Sequence, residues 1–398
     1  MDLCNLMTLR YDPTQQNTSQ LRKLTYEDFT GRLEPFPSPS EVENALRLAI
    51  RKAVIESRSQ SISVALSAGI DSTLILSLIR DEFPEIDINC VTVSFDQYTE
   101  AKDAERFAES KSSYFHNVVI DNPLRELPYL ISIAKEPRWN LYQYYFIEKS
   151  KHFSNLLFTG DGGDELFGGY IFRYHKFLSS YDKNLSWIDR TRQYLDCHDR
   201  DWVPDQANMF GPALEFDWNK IYHLFKEYFD NDLHPLDQVF LADYNGKLLY
   251  DFVPVNTKFF DHFDLIGIAP LLEHSVIDIS LKMPHSLKYD VRRNMGKLPL
   301  RKIASKWDLT NLFDKKIGFG MNLYDLWIRA GKEIVNSTLD KGRIFEDRLI
   351  SKDFYNRSLL RIADTHDVRY ISKMLHLLSL EVWYRMFVTF EISSNTSL

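Results

Sequence analysis

The sequence of 398 residues contains few cysteines and no long apolar segment. Cys4, Cys90 and Cys197 form neither a CxxC pair nor a zinc-ligand pattern, which is typical of a reducing compartment. No apolar run approaches the ~20 residues of a transmembrane helix, and the N-terminus lacks the basic flank and apolar core of a signal peptide. These absences predict a cytoplasmic protein.

An excess of positive charge is also missing. The 48 Lys and Arg residues stand against 56 Asp and Glu, which gives a formal net charge of −8. This balance gives no electrostatic reason to expect nucleic-acid binding. The content of 44% hydrophobic and 26% charged residues is ordinary for a globular protein. The length is sufficient for two domains with a sizeable core.

The sequence does contain a strand, a tight turn and a helix in succession. Residues 67–72 read Ser-Ala-Gly-Ile-Asp-Ser and lie between a strand predicted at 64–66 and a helix with one apolar face. A helix N-terminus presents unpaired N–H groups and a dipole that favours anions. The turn lacks the lysine and the spacing of the Walker loop. It predicts a phosphate site of another kind, in which Gly69 permits close approach while Ser67 and Ser72 donate hydroxyl groups.

A second loop, rich in glycine and acidic residues, follows another apolar run. Residues 158–170 read Phe-Thr-Gly-Asp-Gly-Gly-Asp-Glu-Leu-Phe-Gly-Gly-Tyr, and a strand is predicted at 156–158. Two strand ends with acids at their carboxyl edge suit Mg²⁺ and a polyphosphate, because this ion takes a few carboxylates plus phosphate oxygens. The ligand spacing does not continue as a 12-residue calcium loop.

The two loops resemble the signatures of known enzymes. Residues 67–72 resemble the SGGxDS loop of the PP-loop ATP pyrophosphatases, and residues 158–170 resemble the GxGxDExFGGY segment of asparagine synthetases. Three more segments resemble the R-x-PFLD, KxxLR and RKKQGFG segments of that synthetase domain: 269–273, 296–301 and 315–320. Five matches in the expected order are far more specific than any single motif.

Strands that alternate with helices predict a doubly wound parallel α/β sheet, which the resemblance identifies as the PP-loop type. We expect strands at 64–66, 88–95, 118–120 and 156–158. We also expect a helix that starts at a Ser40 cap. The predicted organisation has three parts: a lead-in arm over 1–40, an ATP-binding α/β core over 41–170, and a mainly helical part over 171–398 that completes the synthetase domain.

The resemblance implies binding residues in both loops. Asp71 and Asp164 are expected to bind Mg²⁺, although aspartate at either position also suits a helix or turn cap. Contacts with ATP are expected from Ser67, Ala68, Gly69, Asp71, Ser72, Ser94 and Gly160. Ala68 stands where the family usually has glycine and fits there if its φ is negative. A strand-end serine such as Ser94 is also commonly only a cap.

The resemblance further implies two catalytic residues. Asp161 matches a family acid near the reacting groups, and it would hold an ammonium group or take a proton from the attacking amine. Lys316 matches the lysine of the RKKQGFG segment and would stabilise the charge that develops as AMP leaves, the alternative being a solvated lysine. Lys297 and Arg301 lie on one face of a predicted helix, where they meet either phosphate or solvent.

Two departures from the family pattern bear on the reaction. Residues 1–66 precede the first loop and Cys4 is not at position 2, so we expect neither a glutaminase domain nor glutamine hydrolysis by this chain. Ile266 and Ile268 replace a charged pair of the family, an acid and an arginine. Either the substrate differs from aspartate or Asp264 serves nearby.

The sequence therefore predicts an ATP-dependent ligase that adenylates a carboxylate, releases pyrophosphate and forms an amide with ammonia or an amine. One alternative is an amide ligase or intramolecular cyclase of a specialised pathway, resembling β-lactam synthetases and lasso-peptide cyclases. The lost charged pair favours this alternative, whereas the acidic Asp161 favours the asparagine-forming members. A second alternative is a non-catalytic nucleotide-binding subunit of an amidotransferase complex.

Partners follow from the same resemblance. A small-molecule or peptide carboxylate and an amine or ammonia are expected as substrates, and neither a nucleic acid nor a membrane is. A separate glutaminase subunit and a homo-oligomer stay open. The absence of a CxxC pair argues against the sulfur-transferring branch of the PP-loop enzymes.

Overall fold

A parallel sheet positions both loops. The computed structural model describes residues 1–17, 19–95, 100–198, 201–307 and 321–398. The strands in these residues are β1 Ser61–Ala65, β2 Asp87–Ser94, β3 Tyr114–Val119, β4 Leu156–Phe158 and β5 Ile266–Ile268. They lie in the order β3-β2-β1-β4-β5, and each pairing is parallel. The chain therefore returns to the same edge of the sheet before each new strand.

Apolar side chains cover both faces of this sheet. Leu156 and Phe158 of β4 belong to one buried cluster, and Leu157 between them belongs to another. Successive side chains of a strand point to opposite faces, so helices pack on each side. This arrangement confirms the predicted doubly wound α/β fold.

The four predicted strands are all present, and β4 coincides with its predicted bounds. The sequence does not predict β5, because three residues with a central glycine carry little periodic signal. In the structure, Gly267 pairs with Leu157 and extends the sheet beyond β4. A Cβ atom on Gly267 would lie 2.1 Å from the ring of Phe260, so the strand packs directly under the preceding helix.

Helices of the first 170 residues connect the strands. Their bounds are α1 Leu3–Leu9, α2 Pro39–Ser57, α3 Ile70–Glu82, α4 Glu100–Ser110, α5 Leu127–Ala134, α6 Gln143–Lys151 and α7 Gly163–Phe167. Ser38, two residues before the predicted cap, starts α2. Its side chain accepts a hydrogen bond from the Glu41 amide and Glu41 reaches back to the Ser38 amide, with Pro39 at the first helical position.

The chain from residue 171 is mainly helical, as expected. The helices are α8 Ile171–Ser180, α9 Trp187–Asp196, α10 Trp218–His223, α11 Lys226–Phe229, α12 Pro235–Asp243, α13 Val253–Phe263, α14 His274–Lys282, α15 Leu298–Ala304, α16 Leu323–Leu326, α17 Lys332–Leu339, α18 Arg343–Glu346, α19 Lys352–Thr365 and α20 Val368–Phe387. A π-helix, Tyr244–Phe252, joins α12 to α13 without a break. In the described ranges, no helix has both the length and the apolar character needed to cross a membrane.

The N-terminal segment packs against the C-terminal half. Leu6 and Met7 of α1 are buried in the same cluster as α20. The ammonium group of Lys373 in α20 donates to the carbonyl oxygens of Met7 and Asp201. Arg10 forms an ion pair with Asp201 at 3.1 Å. These contacts tie the first residues of the chain to its last long helix.

Arg173 fixes helix α8 behind the second loop. Its guanidinium donates to Asp243, which is fully buried, with an Nη1–Oδ1 distance of 2.9 Å. The hydroxyl group of Tyr194 donates to the same oxygen at 2.8 Å. The guanidinium also stacks on the ring of Tyr170, 3.4 Å from its centroid. The buried pair therefore holds the end of the glycine-rich loop against α12.

We expect Arg173→Met to lower the free energy of unfolding by about 3–5 kcal/mol, because Asp243 would lose its guanidinium partner inside the core. Urea denaturation at neutral pH measures this change. Arg192→Met is a matched control, since Arg192 pairs with Asp189 on the surface, and it should cost less than about 1 kcal/mol. Equal losses in the two variants would contradict an anchoring role for Arg173.

Candidate active site

The first loop leads from β1 into the N-terminus of α3. The hydroxyl group of Ser72 donates to the carbonyl oxygen of Ser67 at 2.9 Å, and the amide of Gly69 donates to the Ser67 hydroxyl at 3.2 Å. No side chain of the described residues caps α3, so its first N–H groups suit an anionic ligand. Ala68 is not among the residues with positive φ, so its methyl group fits the loop.

The second loop packs directly against the first. A Cβ atom on Gly163 would lie 2.3 Å from Oδ1 of Asp71, and one on Gly169 would lie 1.8 Å from Oδ1 of Asp164. Both positions therefore require glycine for the two aspartates to take up these places. The glycine-rich sequence of the loop thus brings two carboxylates from different strand ends together.

The ammonium group of a lysine, Lys297, lies between these carboxylates. The ammonium group of Lys297 pairs with Oδ2 of Asp71 and with Oδ1 of Asp164, and its side chain is only 5% exposed. Burial alone would lower the pKa of Lys297, but the two carboxylates raise it above its ordinary value. Asp71 and Asp164 therefore lie close enough to share one ion, as the magnesium hypothesis requires.

The backbone holds Lys297 in place. Lys297 has a φ of +57° and precedes α15 instead of lying within it, which corrects the predicted helical position. Its amide donates to the carbonyl oxygen of Phe167 at 2.9 Å. Arg301 of α15 donates from Nε to the carbonyl oxygen of Gly296 at 3.0 Å. A left-handed residue that is not glycine is uncommon and often marks a functional constraint.

Asp161 lies beside this cluster and accepts two hydrogen bonds. The hydroxyl group of Thr159 and the side-chain amide of Asn256 donate to its Oδ2, at 2.8 and 2.9 Å. Burial raises the pKa of Asp161, the two hydrogen bonds oppose this rise, and the charge of Asp71 adds to it. A carboxyl group with a raised pKa, next to two metal-binding candidates, suits proton transfer.

Similarity to known proteins identifies the family of this chain. The family model described as asparagine synthase matches residues 41–385. The chain belongs to the asparagine synthase family. Asparagine synthetase [glutamine-hydrolyzing] 1 of Bacillus subtilis is 23% identical over 336 residues, which cover 76% of this chain and 52% of that protein. The chain thus spans about half the length of this curated relative.

A solved structure is also similar. The NH3-dependent NAD synthetase from Campylobacter jejuni has 16% identity to this asparagine synthase-family chain. The match covers 50% of this chain and 98% of the NAD synthetase, with a TM-score of 0.28.

Two further residues predicted to contact ATP, Gly160 and Ser94, lie against the start of α3 and at the end of β2. Gly160 faces the start of α3, since a Cβ atom there would lie 3.0 Å from the amide nitrogen of Ser72. Ser94 ends β2, and its hydroxyl group donates to the side chain of Asn117 at 3.0 Å. Lys316 lies outside the described residues.

The two isoleucines of the altered family segment lie in β5. Ile268 pairs with Phe158 at the carboxyl end of β4, next to the second loop. Asp264 precedes β5 and lies at its amino end, away from both loops, so it does not replace the missing acid. An apolar side chain therefore lies at the carboxyl end of β5, beside the second loop.

The residues present fit a bound magnesium ion. Among the described residues, no group of three or more His, Cys, Asp or Glu side chains converges. Mg²⁺ does not need such a group, since it is usually bound by one or two carboxylates together with substrate phosphates and water. Asp71 and Asp164 are a suitable pair of this kind.

Asn256 is a site residue that the sequence does not predict. It lies 95 residues from Asp161, in the first turn of α13, and no local pattern connects the two. Its own Oδ1 is buried with no hydrogen-bond partner among the described residues. Among the described residues, the side-chain amide of Asn256 therefore has its hydrogen bond with Asp161, and its oxygen adds none.

We expect Asn256→Ala to raise the pKa of Asp161 further, because it removes a donor that favours the charged carboxylate. The acid limb of the pH profile for amide formation should move to higher pH, with a loss of about tenfold in rate near neutral pH. Thr257→Ala, a neighbouring change on the exposed face, is the control. An unchanged pH profile in Asn256→Ala would argue against this coupling.

Proposed function

We propose that this chain is an ATP-dependent ligase that activates a carboxylate as its acyl-adenylate and joins it to ammonia or an amine. The observation that carries this proposal is the pair Asp71 and Asp164 sharing one cation beside the uncapped N-terminus of α3. This is the arrangement of charge that a metal-bound triphosphate needs.

In the first step, an oxygen of the substrate carboxylate attacks the α-phosphorus of ATP, and the bond from this phosphorus to the bridging oxygen breaks. Asp71 and Asp164 would hold Mg²⁺, which neutralises phosphate charge when bound. The N-terminus of α3 binds the departing pyrophosphate through its first backbone N–H groups. Ser67, Ala68, Gly69, Ser72 and Gly160 complete the phosphate-binding surface, with Ser94 towards the nucleotide.

In the second step, the amine nitrogen attacks the acyl carbon, and the bond from this carbon to the oxygen of AMP breaks. Asp161 takes the proton that the amine loses, for which its raised pKa is suited. Lys316, by its place in the family motif, stabilises the negative charge that develops on AMP.

The proposed substrate is a carboxylate other than aspartate. Ile268 lies beside the second loop where the family carries a charged residue, and Asp264 is at the wrong end of β5 to compensate. This favours a second candidate within the same reaction class, an amide ligase or cyclase for a less charged carboxylate. Asp161, whose pKa is raised by burial, argues against a non-catalytic subunit, because nucleotide binding does not need a proton acceptor beside the carboxylate pair.

ATP–pyrophosphate exchange tests the proposal. The purified protein is incubated with Mg²⁺, ATP and labelled pyrophosphate, with a panel of carboxylic acids from aspartate to apolar amino acids and peptides. We expect exchange with one class of acid, and AMP release when ammonium chloride or an amine is added. Nucleotide binding without exchange or AMP formation with any acid would instead support the non-catalytic alternative.

A further inference from the structure

Lys297 occupies the position that the proposed metal ion would need. Its ammonium group contacts Oδ2 of Asp71 and Oδ1 of Asp164, and these are the carboxylates assigned to Mg²⁺ above. We propose that Lys297 is a built-in substitute cation that keeps this site closed to free divalent ions until a nucleotide is bound. The inference rests on the proposed function, because it takes Asp71 and Asp164 as the metal ligands.

Electrostatics explains why the two cations exclude one another. A divalent ion between Asp71 and Asp164 would lie within a few ångströms of the ammonium group, where like charges repel strongly in a partly buried site. The ion would also have to give up water ligands, which Mg²⁺ does reluctantly. Because both carboxylates already pair with Lys297, the free energy that Mg²⁺ gains from binding them does not offset the loss of its water ligands.

The backbone explains why the ammonium group stays there. Lys297 is pinned in its left-handed conformation by the bond from its amide to the carbonyl oxygen of Phe167 and by the start of α15. A Cβ atom on Gly169 would lie 2.3 Å from Cε of Lys297, so the lysine stem runs close along the second loop. Only the end of the side chain can turn, and it needs another anion to turn towards.

A triphosphate supplies that anion. Phosphate oxygens arriving at the N-terminus of α3 offer the ammonium group new partners, while they provide additional ligands for the metal. Lys297 can then leave the carboxylates without becoming unpaired. Metal and nucleotide therefore bind together, and the metal does not precede the nucleotide.

Mn²⁺, followed by its free-ion electron paramagnetic resonance signal, measures this order directly. The wild-type protein should remove more Mn²⁺ from solution than the same nucleotide removes without protein, and only when α,β-methylene-ATP is present, a nucleotide that cannot be cleaved at the reacting bond. Lys297→Met should bind Mn²⁺ without nucleotide at least about tenfold more tightly than the wild type, because the substitution removes a cation that competes with Mn²⁺ for the two carboxylates. Lys302→Met, a change of an exposed lysine in α15, should behave as the wild type.

Thermal unfolding is a second measurement, and it tests whether the Lys297→Met variant is folded. Lys297→Met removes a cation that pairs with both Asp71 and Asp164, so the thermal unfolding temperature of the variant should fall and should recover when Mn²⁺ is added. Adding Asp71→Asn to Lys297→Met should remove both the Mn²⁺ binding and this recovery, which places the new site at Asp71. If Lys297→Met does not fold, the wild-type protein with and without the nucleotide decides the question.

The Mn²⁺ measurements test the role of Lys297 separately from the assignment of the metal ligands. Two results would overturn the role of Lys297. One is equal Mn²⁺ affinity of the wild type and Lys297→Met without nucleotide, and the other is tight Mn²⁺ binding by the wild type when no nucleotide is present. Absence of Mn²⁺ binding in every protein even with the nucleotide would overturn the assignment of Asp71 and Asp164 as metal ligands.

Discussion

Asp71→Asn should abolish ATP–pyrophosphate exchange while the protein stays folded. The substitution keeps the shape of the side chain but removes one of the two charges that would hold the metal. We expect exchange to fall about 10³-fold or more, since metal-ion charge stabilisation contributes several kcal/mol. The unfolding midpoint should change little, because Lys297 keeps its pairing with Asp164.

Binding of the nucleotide provides a second measurement on the same variant. Mg²⁺ with α,β-methylene-ATP should raise the unfolding temperature of the wild type by mass action and leave that of Asp71→Asn unchanged. Asp81→Asn is the matched control, because Asp81 lies at the other end of α3 and forms a surface pair with Arg47. If Asp71→Asn kept more than a tenth of the exchange rate, its role in holding the metal would be wrong.

Asp161→Asn should separate the two halves of the reaction. We expect exchange to persist near the wild-type rate, because Asp161 takes no part in the attack on ATP. Amide formation should fall about 10²- to 10⁴-fold, the usual effect of losing a positioned general base. An asparagine oxygen can still accept the bonds from Thr159 and Asn256, so the local geometry is retained.

Rapid-quench analysis of a single turnover distinguishes the two steps. In Asp161→Asn, the acyl-adenylate should accumulate before AMP appears. Asp161→Glu is the informative companion, because it restores a carboxylate on a side chain that is one methylene longer, and it should recover part of the amide-forming rate. Parallel losses of exchange and amide formation in Asp161→Asn would contradict a role confined to the second step.

Local patterns explain how much of this site the sequence predicts. The strand, turn and helix around residues 67–72 are consecutive in the chain, and so are the strand and glycine-rich loop around 158–170. Their meeting follows from the rule that parallel strands end at one edge of a sheet. Asp71 and Asp164 were therefore expected to lie near one another, and the structure brings them to a common cation.

Contacts between distant segments explain what the sequence does not predict. Lys297 is 226 residues from Asp71, and its left-handed conformation leaves no periodic signal, so the sequence suggests only a helical position that faces phosphate or solvent. Asn256 reaches Asp161 from the first turn of α13, which follows a π-helix whose irregular spacing no amphipathic pattern reveals. The strand β5 is too short to be recognised before its neighbour β4 is known.

The packing of the first residues limits how the protein can be trimmed for laboratory work. A fragment cut to the family match, 41–385, would discard Met7 and leave the buried ammonium group of Lys373 with one fewer carbonyl acceptor. It would also remove Leu24, whose amide and carbonyl groups both bond the side chain of Asn245. Each such orphaned polar group costs about 1–3 kcal/mol. Insoluble or aggregating product from that fragment would thus report a damaged core and say nothing about catalysis.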